Sequence, residues 1–159
     1  MSLPYENSTS GQNAVSDMQK VLQRFGCSSF GHMMDYEHGE LLVQFKYRGR
    51  SVSVKASING YAAAWLKEHP WSYRMRGAKL EHEQKAKKIA GVAVYSILRD
   101  WIKGQVTAVE TGILSFEGAF LGQILLPSGQ TVLEAAQTQN LLPAPADEKV
   151  VPLNGKLAQ

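Results

Sequence analysis

The chain has 159 residues, 44% of them hydrophobic, with a formal net charge of +3 and one cysteine. That length suits one compact domain with a real core. A single cysteine excludes an intramolecular disulfide and a cysteine-rich zinc site, and no window approaches the roughly 18 apolar residues that cross a bilayer.

Residues 1–12 are rich in Ser, Asn and Gly, without the basic start and apolar run of a signal peptide; they read as a disordered N-terminus. Asn13 or Ser16 is positioned to cap a helix to Phe25, with Val15, Met18, Val21, Leu22 and Phe25 on one face and Gly26 closing it. Three strands are expected next. Residues 28–35 alternate poorly. Residues 40–47 send Leu41, Val43, Phe45 and Tyr47 one way and Leu42, Gln44 and Lys46 the other. A tight turn through Gly49 leads to 51–56, where Val52, Val54 and Ala56 alternate with Ser51, Ser53 and Lys55. This is a meander with one apolar face that needs a cover.

Asn59 is the expected cap of a helix to Glu68, with Ala63, Leu66 and Trp65 inward, ended by Pro70. Residues 71–78 read as a loop. The stretch 79–112 is the longest helical pattern: Ala86, Ile89, Ala90, Ala93, Val94, Ile97, Leu98, Trp101, Ile102, Val106 and Val109 recur every three or four residues. That stripe is broad enough to lie on a sheet or on several helices. Ser115 then caps a short turn carrying Phe116, Phe120 and Leu121, and 123–126 reads as a short strand. After the turn at 127–129, Thr131 and Glu134 match a capping box for a last helix toward Leu141, with a return strand at 130–133 as the rival reading. Proline-broken residues 143–159 read as a flexible tail, leaving 13–142 as a single domain. The expected fold class is α+β: an antiparallel three-stranded meander packed against a long central helix, with short flanking helices.

Charge is uneven. Residues 60–104 carry nine Lys and Arg against four acids, whereas everything from 105 onward carries two against five. A basic middle can meet a polyanion. Within it, Trp65, Lys67, His69, Trp71, Tyr73, Arg74 and Arg76 interleave cations with flat rings, and Lys79, Lys87 and Lys88 follow on the long helix. Arg48 and Arg50 stand at the hairpin tip. Cations neutralise phosphates and rings stack unpaired bases; the bland alternative buries Trp65 and Trp71 at the junction of sheet and helix and leaves the arginines solvated. Gln44, Lys46, Ser53 and Lys55 on the outer sheet face would extend a groove.

Other chemistry finds little footing. His82-Glu83-Gln84 begins like a zinc-protease helix, but Ala86 stands where the second histidine belongs. Cys27 with His32 or His38 lacks any family spacing for a thiolate pair. Asp35, Glu37 and Glu40 surround a turn, and Gly39, Gly49 and Gly129 form no phosphate loop. No catalytic residue, metal or cofactor is assigned.

Residues 98–134 carry Trp101 and Gln105 as W-x-x-x-Q, then Val109, Glu110, Gly112 and Ile113, Phe120-Leu121, and Pro127, Gly129 and Thr131 as P-x-G-x-T. With a sheet-forming half before it, this run resembles a segment of small phage and prophage proteins that carry no assigned activity. The resemblance implies a mobile-element origin and a bacterial cytoplasm; it transfers no site residues. The expected function is therefore a non-enzymatic accessory protein that binds nucleic acid through its basic, aromatic middle. The alternative is a protein-binding module acting on a host or phage protein through apolar surface, a homo-oligomer interface included.

Overall fold

The computed structural model describes residues 2–146. The expected class holds: one three-stranded antiparallel sheet, ordered β1-β2-β3, lies against a helical layer dominated by one long helix.

Helix α1 (Gly11–Phe25) is capped by Ser10, whose hydroxyl accepts the Asn13 amide at 3.1 Å, and ends at Gly26 with φ 103°. The cap therefore stands three residues before the expected Asn13. The segment from residue 2 to α1 makes contacts with the helical layer. Tyr61 donates its hydroxyl to the Pro4 carbonyl, Tyr5 donates to Asp100, and Glu6 meets His69 at 3.0 Å. These contacts strap the segment across the helical layer, and its polar composition gave no sign of them.

Strands β1 (Ser29–Asp35), β2 (Glu40–Tyr47) and β3 (Arg50–Ser57) pair in full register, with Phe45 opposite Phe30 on one side and Val52 on the other. Leu41, Val43, Phe45 and Val52 are buried on the inner face, as the alternation predicts. The β1–β2 turn needs Gly39: its φ is 62°, and the Asn59 amide occupies the space of any added side chain. Asn59 thus locks that turn by donating to the His38 carbonyl, and Ser57 caps helix α2 (Ile58–Glu68) in its place. Starting at Ile58 rotates the apolar face, so Ile58, Ala62 and Trp65 are buried, Leu66 is half-buried and Ala63 is exposed.

Helix α3 (Lys79–Glu110) runs 32 residues without interruption at Gly91 or Gly104, about 48 Å at 1.5 Å per residue. Its expected stripe is buried at Ala86, Ala90, Ala93, Val94, Leu98, Ile102 and Val106, joined by His82 and Ser96. Helices α1 and α2 pack along it, and the inner sheet face closes the core through Phe45, Met18, Leu22 and Val106. Helix α4 (Phe116–Phe120) and a 3-10 turn (Leu121–Gln123) seat Phe120 edge-on to Phe45 and Trp101. The strand expected at 123–126 reduces to two bridges, Ile124 to Val52 and Leu125 to Thr131. Both readings of the next stretch are therefore present, because the bridge ends where the Thr131–Glu134 capping box starts helix α5 (Val132–Thr138). The expected tail lies, from 147 on, outside the described residues.

Candidate nucleic-acid interface

The segment between α2 and α3 is built on a buried aromatic stack. Trp65, 5% exposed, has the His69 ring 4.5 Å and the His82 ring 5.1 Å from its own. His82 reaches the His69 carbonyl at 2.6 Å through Nε2. A carbonyl only accepts, so that nitrogen carries the proton. His69 in turn meets Glu6, and its hydrogen bond, helped by the Leu3 amide, holds the Glu6 carboxyl below its ordinary range. Lys85 places its ammonium 5.9 Å from the Trp65 ring centre. Trp65 is thus foundation, not stacking platform, as the bland alternative held.

Above that foundation, residues 70–78 form a surface hook. Trp71 is half-buried, donates its indole N–H to the Gly77 carbonyl at 3.4 Å, and braces Tyr73 edge-on at 5.0 Å. Tyr73 is 93% exposed. Arg74, Arg76 and Lys79 are exposed, and no carboxylate among the described residues lies in ion-pair distance of them. Helix α3 begins here at Ala78 without a side-chain cap hydrogen bond, and Glu81 in its first turn lays its carboxylate beside Gly77, against the positive end of the helix dipole. A hollow of about 470 Å³ beside the hook is lined by Leu66, Pro70, Trp71, Tyr73, Lys79, His82 and Glu83. Lys67 is exposed on the last turn of α2.

The remaining predicted residues do not join this surface. Lys87 and Lys88 lie two turns along α3, beside a shallow groove of about 340 Å³ shared with Gln12, His32 and Tyr95. Arg48 and Arg50 are at the far end, beside Val109 and Phe116; Val109 is about 45 Å along the helix from Lys79 at 1.5 Å per residue. There Arg50 is ion-paired with Glu117, and Arg48 sits 5.3 Å from the Tyr47 ring centre. Local sequence could not foresee this separation, because it follows from which end of α3 the β2–β3 turn meets. Gln44 and Ser53 bond each other on the outer sheet face, turned away from α3. The packing of His82 and Lys85 with His69 around Trp65 was missed. Nothing in their spacing marks a stack that closes only when α2 and α3 pack.

Other candidate chemistry is spent on structure. Burial pushes the Cys27 thiol up to about 11. His32 bonds Tyr95 and His38 bonds Asp35, so neither serves that thiol. Among the described residues no group of three or more His, Cys, Asp or Glu is arranged to hold a metal ion, and no helix is long and apolar enough to cross a membrane.

The residues behind the phage-protein resemblance also have structural roles. Gln105 donates to the Ala119 carbonyl at 2.6 Å, Trp101 abuts Phe120, and Glu110 pairs with Arg24. Gly112 and Gly129 take φ of 76° and 89°. They fix the path of the chain from α3 to α5. Compared with protein-family models, curated proteins and solved structures, the chain matches none.

Proposed function

We propose that this chain is a non-enzymatic accessory protein of a phage or mobile element that binds single-stranded nucleic acid through the hook at 70–78. The supporting observation is the placement of one almost fully exposed ring, Tyr73, among Arg74, Arg76 and Lys79 at the uncapped start of α3. An unstacked base lies on the ring while neighbouring phosphates meet the cations. Fluorescence anisotropy with single- and double-stranded oligonucleotides at two salt concentrations tests this. Three phosphate contacts give a salt slope near 2 on single strands, so a fourfold rise in salt weakens binding by about ten- to twentyfold. Absence of binding at low salt removes the reading.

A protein-binding role is the second reading, favoured by Ile113, Leu114, Leu121 and Leu133, exposed from the end of α3 into the first turn of α5. Affinity capture with the wild-type chain and an Ile113→Lys, Leu121→Lys variant separates it, since that change leaves the hook intact.

A further inference from the structure

The two edges of the sheet are treated differently. Beyond β3, Leu125 donates its amide to the Ser51 carbonyl at 2.8 Å and Ile124 bridges Val52, which covers part of that edge. Beyond β1, no hydrogen bond among the described residues reaches the outer backbone of 29–35. An open strand edge pairs readily with another strand unless lysine, proline or a bulge blocks it. The sequence of β1, SFGHMMD, has no lysine and no proline, and it pairs with β2 without a break.

We infer that a second copy of this chain pairs along this edge, β1 antiparallel to β1, with His32 on the two-fold axis, giving a continuous six-stranded sheet. This is the register that matches all seven residues of the strand. It places Ser29 opposite Asp35, Phe30 opposite Met34 and Gly31 opposite Met33 of the other copy, each pair on one face.

Shape and charge both suit it. Met33 is 57% exposed on the outer face, and nothing lies within 4 Å of where a Gly31 side chain would be. A hollow of about 400 Å³ spans Gly31, Met33, Leu42, Gln44 and Lys46. Each Met33 thus drops over the bare Gly31 of the second copy, twice per dimer. Asp35 and Glu40 pair at one end of the β1–β2 ladder, and Ser29 and Lys46 pair at the other. The antiparallel arrangement brings the acidic end of each copy to the lysine end of the other. A parallel one would set like against like.

Sedimentation equilibrium of the full chain tests the inference. A species of twice 17.5 kDa is expected, and Met33→Lys weakens self-association at least about tenfold, by putting a charge where the methionine packs. Unchanged far-UV circular dichroism shows that the variant still folds. Oxidative cross-linking fixes the register independently. In a Cys27→Ser background, His32→Cys yields a covalent dimer, because the two β-carbons face each other across the axis at about 5 Å. Tyr36→Cys, fully at the surface but four residues from the axis, does not. A monomer at every concentration up to about 1 mM, where no useful affinity remains, overturns the inference. So does a dimer that Met33→Lys leaves intact, or cross-linking at 36 without cross-linking at 32.

Discussion

Trp71 and Tyr73 make an edge-to-face pair in which the half-buried ring holds the exposed one upright. A ring held this way loses little freedom when a base stacks on it. Tyr73→Ala is therefore expected to cost single-strand binding about 1–3 kcal/mol, the range for one base–aromatic stack. Arg74→Ala and Arg76→Ala each lower the salt slope by about 0.7. Arg48→Ala and Arg50→Ala, at the other end of α3, leave binding within twofold; anisotropy titrations on the five variants read all of this. A second residue gives a pH-dependent expectation. Burial raises the Cys27 thiol to about 11, so its neutral form is the one the fold favours. That stabilising contribution is whole below the unfolded thiol value of 9.0 and is lost as pH rises through the folded one. Alkylation by iodoacetamide should be slow at pH 7 and still climbing between pH 9 and about 11. A rate that levels off near pH 8 would mean an activated thiol instead. The distinction between Trp65 and Trp71 was half-legible in the residues. Steps of four and three from Ile58 through Ala62 put Trp65 on a buried face, but only once Ser57 is known to be the cap.

Among the elements, the corner from α3 through α4 depends most on a few contacts. Phe120 is fully buried and touches Phe45, Trp101 and Phe116. Phe120→Ala is expected to destabilise by about 3–5 kcal/mol, the cost of an aromatic lost from a core. Gln105→Leu removes the donor to the Ala119 carbonyl and costs about 1–3 kcal/mol for leaving an acceptor unpaired. Urea unfolding reads both: the midpoint falls while the slope with denaturant stays constant. A Phe120→Ala midpoint within error of wild type would mean that α4 is a passenger on the core. Strand alternation in β2 and β3 and the periodicity of α3 were legible because each is a long pattern with a fixed period. Caps were less so. Ser10 and Ser57 do what Asn13 and Asn59 were expected to do, one standing three residues earlier and the other two. The short stretch around Thr131 carried two patterns at once, and the fold uses one after the other.

At the scale of the whole molecule, carboxylates at or near the surface tie the periphery to the core. Glu6 and Asp100 anchor the N-terminal strap, Asp35 closes the β1–β2 turn, and Glu117 joins α4 to the β2–β3 turn. None of this was readable from sequence, because each partner lies in a distant element or depends on a turn already formed. Each carboxyl is held below its ordinary range by the donors around it. His69 leads at Glu6, the His38 amide at Asp35, the Tyr5 hydroxyl at Asp100, and Glu117's own amide followed by Arg50 at Glu117. A carboxyl depressed on folding contributes stability above its unfolded value, here 4.5 for Glu and 3.8 for Asp, and loses it as pH falls through the folded one. The urea midpoint is therefore expected to be flat from pH 7 to about pH 5 and to drop steadily below about pH 4. Because Asp100 and Glu117 face solvent while Glu6 is mostly covered, added salt should shrink the Glu117 part of that drop more than the Glu6 part. A Glu6→Gln, Asp100→Asn variant frees the strap. It should lose midpoint at pH 7, where wild type has those bonds, yet show a shallower fall toward pH 3. It should also expose residues 2–9 to proteolysis before the body of the protein unfolds. Equal slopes in the two proteins would mean that the strap contributes nothing to acid lability, leaving Asp35 and Glu117 as its source.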